Sequence, residues 1–309
     1  MNLIGIDIGG TKCAVVLGNE KGEIFKKEKF ATTDCGGTLS NIFRIVENMG
    51  SCDAIGISCG GPLDSKNGII KSPPNLPGWD NVEIVKMLKS KFSVPVFLKN
   101  DADACALAEW KFGAGTDVNN MIFLTFGTGL GAGLILNGKL YSGACDMAGE
   151  VGHIRLADFG PVGYGKAGSF EGFCSGGGLA QLGQAVAKEN SQMGHHVSFA
   201  EGEITAKAIA DAAKNGDEAA ISVYRQCGYM LGRGLSILID ILNPEMIVLG
   251  SIFQRSEELL REEMTRIIEK ETLAYSRNAC RIVPAKLGES LGDVAALCVA
   301  VCGLKGELQ

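Results

Sequence analysis

Apolar residues along this chain fall into short runs that end in glycine and longer stretches with helical spacing. The runs Leu3–Ile8, Cys13–Leu17, Glu23–Phe30, Asp53–Cys59, Pro95–Leu98, Met121–Phe126, Gly133–Leu136, Met246–Leu249 and Arg281–Pro284 predict strands. Helices are predicted around Thr38–Asn48, Val82–Lys91, Ala102–Lys111, Ser175–Lys188, Asp217–Leu242, Glu257–Thr272 and Asp293–Val301. In the second helix Val82, Val85, Leu88 and Phe92 share one face. In the longest, Val223, Cys227, Leu231, Leu235, Leu238 and Leu242 keep helical spacing until Asn243-Pro244 stops it. Strands alternating with helices predict an α/β fold.

One pattern occurs twice: strand, glycine turn, strand, first at Ile4–Val16 and again at Met121–Leu136. In the second copy Gly127, Gly129, Gly131 and Gly133 alternate, with Thr128 between the first two. Such a ladder is either a hairpin that needs room or a bare backbone that can approach a phosphate. Val118–Gly138 is uncharged and long enough to span a bilayer, but five glycines and three asparagines make it a poor membrane helix. Walker A is absent, and GxGxxG fails at Gly127 because position 132 is Ala.

Asp7 ends the first apolar strand, where a carboxylate is costly without a partner. It either caps its own turn or holds a hydrated Mg²⁺ beside phosphates. The loop Ser72–Trp79 has three prolines and one glycine around Asn75, a rigid setting of the kind that carries binding groups. On spacing alone, Asp101 reads first as the residue that opens the helix after Leu98. Glu150 and His153 lie three apart, and a lone His is more often structural than functional. His195-His196 lie in a polar loop and take no role.

Composition narrows the classes. The 309 residues suffice for two domains, and 46% hydrophobic with 21% charged content is that of a globular protein. A net charge of −6 gives no support for nucleic-acid or anionic-membrane partners. Met1-Asn2 runs straight into a buried-type strand, so no signal peptide is expected. Eleven cysteines without a CxxC, mostly in apolar runs, fit free thiols in a reduced cytoplasm.

The motifs DIGGTK (Asp7–Lys12), GGP (Gly60–Pro62), PNLPGW (Pro74–Trp79), NDADA (Asn100–Ala104), GTGLGAG (Gly127–Gly133), GEVGH (Gly149–His153) and NPEMIVLG (Asn243–Gly250) stand in the order and spacing of the ROK family. The chain resembles that family over nearly its whole length. The family comprises sugar kinases and sugar-responsive repressors with the actin/hexokinase-type ATPase fold. The resemblance implies two RNase H-like α/β domains with a nucleotide and sugar cleft between them. They would be residues 1–115, completed by helix 292–309, and residues 116–291. It implies ATP and Mg²⁺ as cofactors and a hexose phosphorylated on a hydroxyl, usually O6.

Carried over by residue, Asp7, Gly9, Gly10, Thr11 and Lys12 would form a first phosphate loop, with Asp7 near Mg²⁺ through water. Gly127, Thr128 and Gly129 would form a second, and Gly250 would lie near the adenosine. Asp101 would be the general base, which reverses the reading from spacing. Gly61, Asn75, Asn100, Asp101, Glu150, His153 and Glu171 would bind the sugar. Carboxylates, amides and an imidazole suit a ring of hydroxyls, because a buried partner left unpaired is costly. Glucose is the most generic substrate; fructose, allose, mannose and N-acetylmannosamine are alternatives. A homodimer is implied, and no nucleic-acid or membrane partner.

The chain departs from the family in one loop. Members typically place a zinc site in a CxCGxxGC segment, but here Val162, Tyr164 and Ser169 stand at the cysteine positions. The expectation is a zinc-free loop packed by Tyr164, Phe170 and Phe173. A second departure is Gly250-Ser251, where many members have a longer glycine run. Two other functions compete with the kinase. A repressor would carry a helix-turn-helix ahead of strand one, and strand one begins at Leu3. A sugar-binding module without catalysis is opposed by the intact Asp7, Asp101 and both glycine turns.

Overall fold

The computed structural model describes residues 1–308. Fourteen strands and ten α-helices are formed among them. A hairpin opens the chain, β1 (Leu3–Ile8) and β2 (Lys12–Gly18), followed by β3 (Ile24–Ala31) and α1 (Cys35–Met49). Asp34 caps α1 by accepting the Gly37 N–H. Next come β4 (Ala54–Cys59), the small hairpin β5 (Leu63–Asp64) and β6 (Ile69–Ile70), α2 (Ile84–Phe92), β7 (Val96–Asn100) and α3 (Asp101–Phe112). The second glycine turn joins β8 (Met121–Leu124) to β9 (Ala132–Leu136), and β10 (Lys139–Leu140) follows.

A further hairpin, β11 (Val162–Gly163) and β12 (Lys166–Ala167), precedes α4 (Phe170–Phe173), α5 (Gly176–Gln192), α6 (Ala206–Lys214) and α7 (Glu218–Leu242). The chain closes with β13 (Met246–Leu249), α8 (Ile252–Glu271), α9 (Ala274–Ala279), β14 (Arg281–Pro284) and α10 (Leu291–Leu304).

The two five-stranded sheets have the same plan. The first runs β3-β2-β1-β4-β7 and the second β10-β9-β8-β13-β14. In the first, β1 pairs antiparallel with β2 and parallel with β4, and β4 pairs parallel with β7. In the second, β9 and β10 are antiparallel, while β13 and β14 are parallel. The repeat seen in the sequence is therefore a repeat of sheet topology.

The chain divides into two compact units. The first holds Met1–Phe123, Gly133–Gly149 and the stretch from Lys286; the second holds Leu124–Ala132 and Glu150–Ala285. Within the first unit, α10 lies directly on the sheet. Every residue from Asp293 to Cys302 is buried. Room for this helix comes from bare backbone: a Cβ on Gly56 would lie 2.2 Å from the Ala296 carbonyl oxygen, and one on Gly5 2.7 Å from the Leu297 nitrogen. On the other face, α1 contributes Leu39, Ile42, Ile45 and Val46 to a core with Ile4, Ile6, Ile55 and Ile57. Buried Glu109 is satisfied by the N–H groups of Ala114 and Leu287.

Several elements differ from the sequence expectation. The second helix starts at Ile84, not Val82, because Val82 bridges Ile70 in extended conformation. The helix expected from Glu257 starts at Ile252 and has a non-helical residue at Ser256. Leu242 is only half-buried, while the other five residues of its row are buried. All eleven cysteines are free thiols. Among the described residues, no helix is long and apolar enough to cross a membrane.

Candidate active site

In the first unit, the β1–β2 turn presents Gly10, Thr11 and Lys12 to solvent. Its shape is fixed by the Gly9 N–H donating to the Lys12 carbonyl at 3.2 Å. Thr32, just beyond β3, braces it by donating its hydroxyl to the Gly9 carbonyl at 2.6 Å and its N–H to the Thr11 carbonyl at 3.0 Å. Gly10 packs against the proline-rich loop, where a Cβ would lie 2.6 Å from the Asn75 carbonyl oxygen. That loop is anchored by Leu76 and Trp79, both buried, which leaves Asn75 exposed beside the turn.

Asp7 stands half-buried at the end of β1. Burial, then the charges of Asp101 and Asp293, push its pKa up to about 6, opposed by a Ser58 hydrogen bond and by Lys27. A carboxylate whose charge is disfavoured in this way suits a hard cation, which would relieve both effects. Among the described residues no three His, Cys, Asp or Glu side chains are grouped to hold a metal by themselves. Mg²⁺ at Asp7 would therefore take its other ligands from water and phosphate oxygens, its usual habit.

The β7–α3 junction supplies the next groups. Asn100, not Asp101, is the N-cap of α3: its side-chain oxygen accepts the Ala102 N–H at 2.9 Å. Asp101 is the first helical residue, and its Oδ1 accepts the same N–H at 2.8 Å. Its Oδ2 lies 3.9 Å from where a Cβ on Gly60 would stand. The Asn100 amide nitrogen likewise faces Gly61, 3.2 Å from the position of a Cβ there. Solvent reaches the Asp101 carboxylate, yet the protein packed around it withdraws it from bulk water and pushes its pKa up, against the Ala102 N–H. The structure thus brings Asp7, Gly60, Gly61, Asn100 and Asp101 together, with Asn75 on the neighbouring turn.

In the second unit, the turn at Gly127–Leu130 is held from several sides. The Gly127 N–H donates to the Gly129 carbonyl at 3.0 Å, and Thr125 clasps Gly131 through both backbone and hydroxyl. The Gly176 N–H, first in α5, donates to the Gly127 carbonyl at 2.7 Å. Thr128 is exposed at the tip. Gly250, at the end of β13, is buried and donates its N–H to the Leu124 carbonyl.

Glu171 does more than the sequence suggests. Its Oε2 accepts the Leu130 N–H at 3.0 Å and would lie 2.8 Å from a Cβ on Gly129, so it buttresses the glycine turn. Glu150 precedes and His153 ends a 3₁₀ turn, Val151–His153, and both are exposed. Gly133, fourth in the ladder, serves packing instead of a ligand: a Cβ there would lie 2.4 Å from the Ala102 carbonyl of α3. The run Ser175–Gly178, which the sequence marks only as a helix start, places the N-terminus of α5 against the second turn.

The loop that departs from the family is built without three of its expected ligands. Val162 lies in β11, where its N–H and carbonyl both bond the Gln181 amide. Ser169 caps α4, and Phe170 and Phe173 are buried. Tyr164 does not pack the loop as expected. It occupies the hairpin turn at φ +45°, is 71% exposed, and forms an edge-type ring pair with His153, 6.3 Å between centroids. Purified chain is expected to carry far less than one zinc by elemental analysis; about one per chain would contradict this.

Comparison with known proteins supplies the family. The ROK family model matches residues 3–301. The chain is 31% identical over 304 residues to a glucokinase of Thermotoga maritima, covering 96% of each. It is 30% identical over 300 residues to a xylose repressor of Caldicellulosiruptor bescii, covering 93% of this chain and 74% of the repressor. A solved ROK family glucokinase from Streptomyces griseus, in complex with glucose and AMPPNP, superposes with a TM-score of 0.81 at 30% identity, covering 97% of this chain and 99% of that one. The chain belongs to the ROK family and has the actin/hexokinase-type fold.

Proposed function

We propose that this chain is an ATP-dependent sugar kinase that transfers the γ-phosphate of ATP to O6 of a hexose, glucose foremost. The observation that carries the reading is Asp101. One carboxylate oxygen is tied to the start of α3, while the other faces Gly60, which follows β4. That oxygen accepts the hydroxyl proton as the sugar oxygen forms its bond to phosphorus and the bond to the ADP oxygen breaks. Relatives named as glucokinases support the activity, and the AMPPNP and glucose in the Streptomyces griseus complex support the substrate pair.

Phosphoryl transfer depends mainly on position and charge neutralisation. Gly9–Lys12 and Gly127–Gly129 supply backbone N–H groups and one lysine to the phosphates, and Gly250 borders the adenosine. Asp7 would hold Mg²⁺, which would supply charge neutralisation at the phosphate oxygens when bound. Gly61, Asn75, Asn100, Glu150, His153 and Glu171 bind the sugar hydroxyls. A cytoplasmic homodimer completes the reading, since twofold dimers are the commonest soluble oligomers. Likeness to a xylose repressor keeps a sugar sensor without catalysis as the second reading.

The regiochemistry is testable on the product. After incubation with MgATP and ¹³C-glucose, NMR should show phosphorus coupling at C6. Coupling at another carbon would overturn the O6 assignment.

A further inference from the structure

The first unit carries an open groove of about 1010 Å³ that none of the residues assigned above lines. Its walls are the β5–β6 hairpin, β7 at the edge of the first sheet, and the segment after β10. At its base lies Lys99, only 5% exposed. The ammonium group donates to the Ser65 hydroxyl at 3.3 Å and the Ser142 hydroxyl at 3.2 Å. The nearest carboxylate, Asp146, is 3.9 Å away, beyond hydrogen-bond distance, and already accepts the N–H and hydroxyl of Ser65. Asp146 thus pairs with the ammonium charge, but two hydroxyls accept only two of its three hydrogens.

The surrounding charge has the same sense. Lys66, Lys71 and Lys89 are exposed on the groove walls, against Asp64 and Asp146. Asp64 is already paired with Lys71 at 3.4 Å. Four lysines against two aspartates is a local excess of positive charge in a chain whose net charge is −6. Asp103 is a further carboxylate that feels the Lys99 charge. It bonds Ser142 at 3.0 Å, and burial pushes its pKa up to about 7. Phe97 and Leu140 give the groove apolar wall beside this basic base.

We propose that this groove binds a small molecule bearing a phosphoryl group, with the Lys99 ammonium donating to its oxygens and the rim lysines contributing charge. Lysine is a point-charge phosphate binder. The site is independent of whether the chain is a kinase.

Cys145 is exposed on the same groove and gives a local readout. Its alkylation by iodoacetamide is followed by peptide mass spectrometry in the full chain, at constant ionic strength. Inorganic phosphate and glucose 6-phosphate serve as probes, with chloride as the control. The proposal predicts saturable slowing of several-fold by at least one phosphoryl probe. Stronger slowing by glucose 6-phosphate identifies a phosphorylated metabolite as ligand; equal or stronger slowing by phosphate identifies the free ion. The concentration needed should rise about tenfold or more in K71A/K89A and in Lys99→Met; the rim variant stands alone if Lys99→Met does not fold. No slowing by either probe overturns the site. So does slowing that persists unchanged in K71A/K89A, which would mean that the anion acts elsewhere.

Discussion

Asp101→Asn is expected to retain fold and sugar binding while lowering kcat by on the order of 10²-fold or more, the usual scale for a general base. Asparagine keeps an oxygen to accept the Ala102 N–H, and Asn100 still caps α3. The start of the helix therefore does not depend on the Asp101 charge, and a loss of turnover reports chemistry. What the substitution removes is an oxygen able to take a proton. Sugar binding by calorimetry should change little, so the effect belongs in kcat more than in KM. Near-normal turnover in Asp101→Asn would reduce Asp101 to a helix-opening residue.

Gly56→Ala is expected to be among the most destabilising single changes in the first unit, about 3 kcal/mol or more. The added methyl would stand 2.2 Å from the Ala296 carbonyl oxygen and 2.5 Å from the Ala300 nitrogen. Both are backbone atoms of α10, so no side-chain rotation relieves the clash, and the whole helix must lift from the sheet. Gly202, where an added methyl would meet nothing within 4 Å, is the control. Gly202→Ala should stay within about 0.5 kcal/mol of the parent. Urea midpoints for the two variants should separate clearly; equal midpoints would mean that α10 does not lie on the sheet in this way.

Strands are the most legible part of the sequence. Met246–Leu249 and Arg281–Pro284 form as expected, because short apolar runs between charged and glycine-rich segments leave little choice of boundary. Helix α6 is poorly marked: Ala206–Lys214 buries Ile209 with Ala210, Ala212 and Ala213, and alanines mark an apolar face weakly. The early start of α8 is hidden by the non-helical residue Ser256, which separates its first turn from the periodic part. At the site, residue types are legible but their partners are not. Glu171 holds the Leu130 N–H from 41 positions away, and no local pattern signals such a contact. A large aromatic residue such as Tyr164 is expected in the loop core, but the left-handed turn it occupies directs it to solvent. The glycine ladder looks like one device in the sequence, yet its members serve different neighbours: Gly129 makes room for Glu171, and Gly133 for α3.

The most direct test of the kinase reading is ADP release from MgATP in the presence of a panel of hexoses and amino sugars. At least one sugar, glucose first, should raise the rate well above the sugar-free background, and Asp101→Asn should abolish most of that increment. If no sugar in a broad panel stimulates ADP release by the folded chain, the proposed phosphoryl transfer is contradicted.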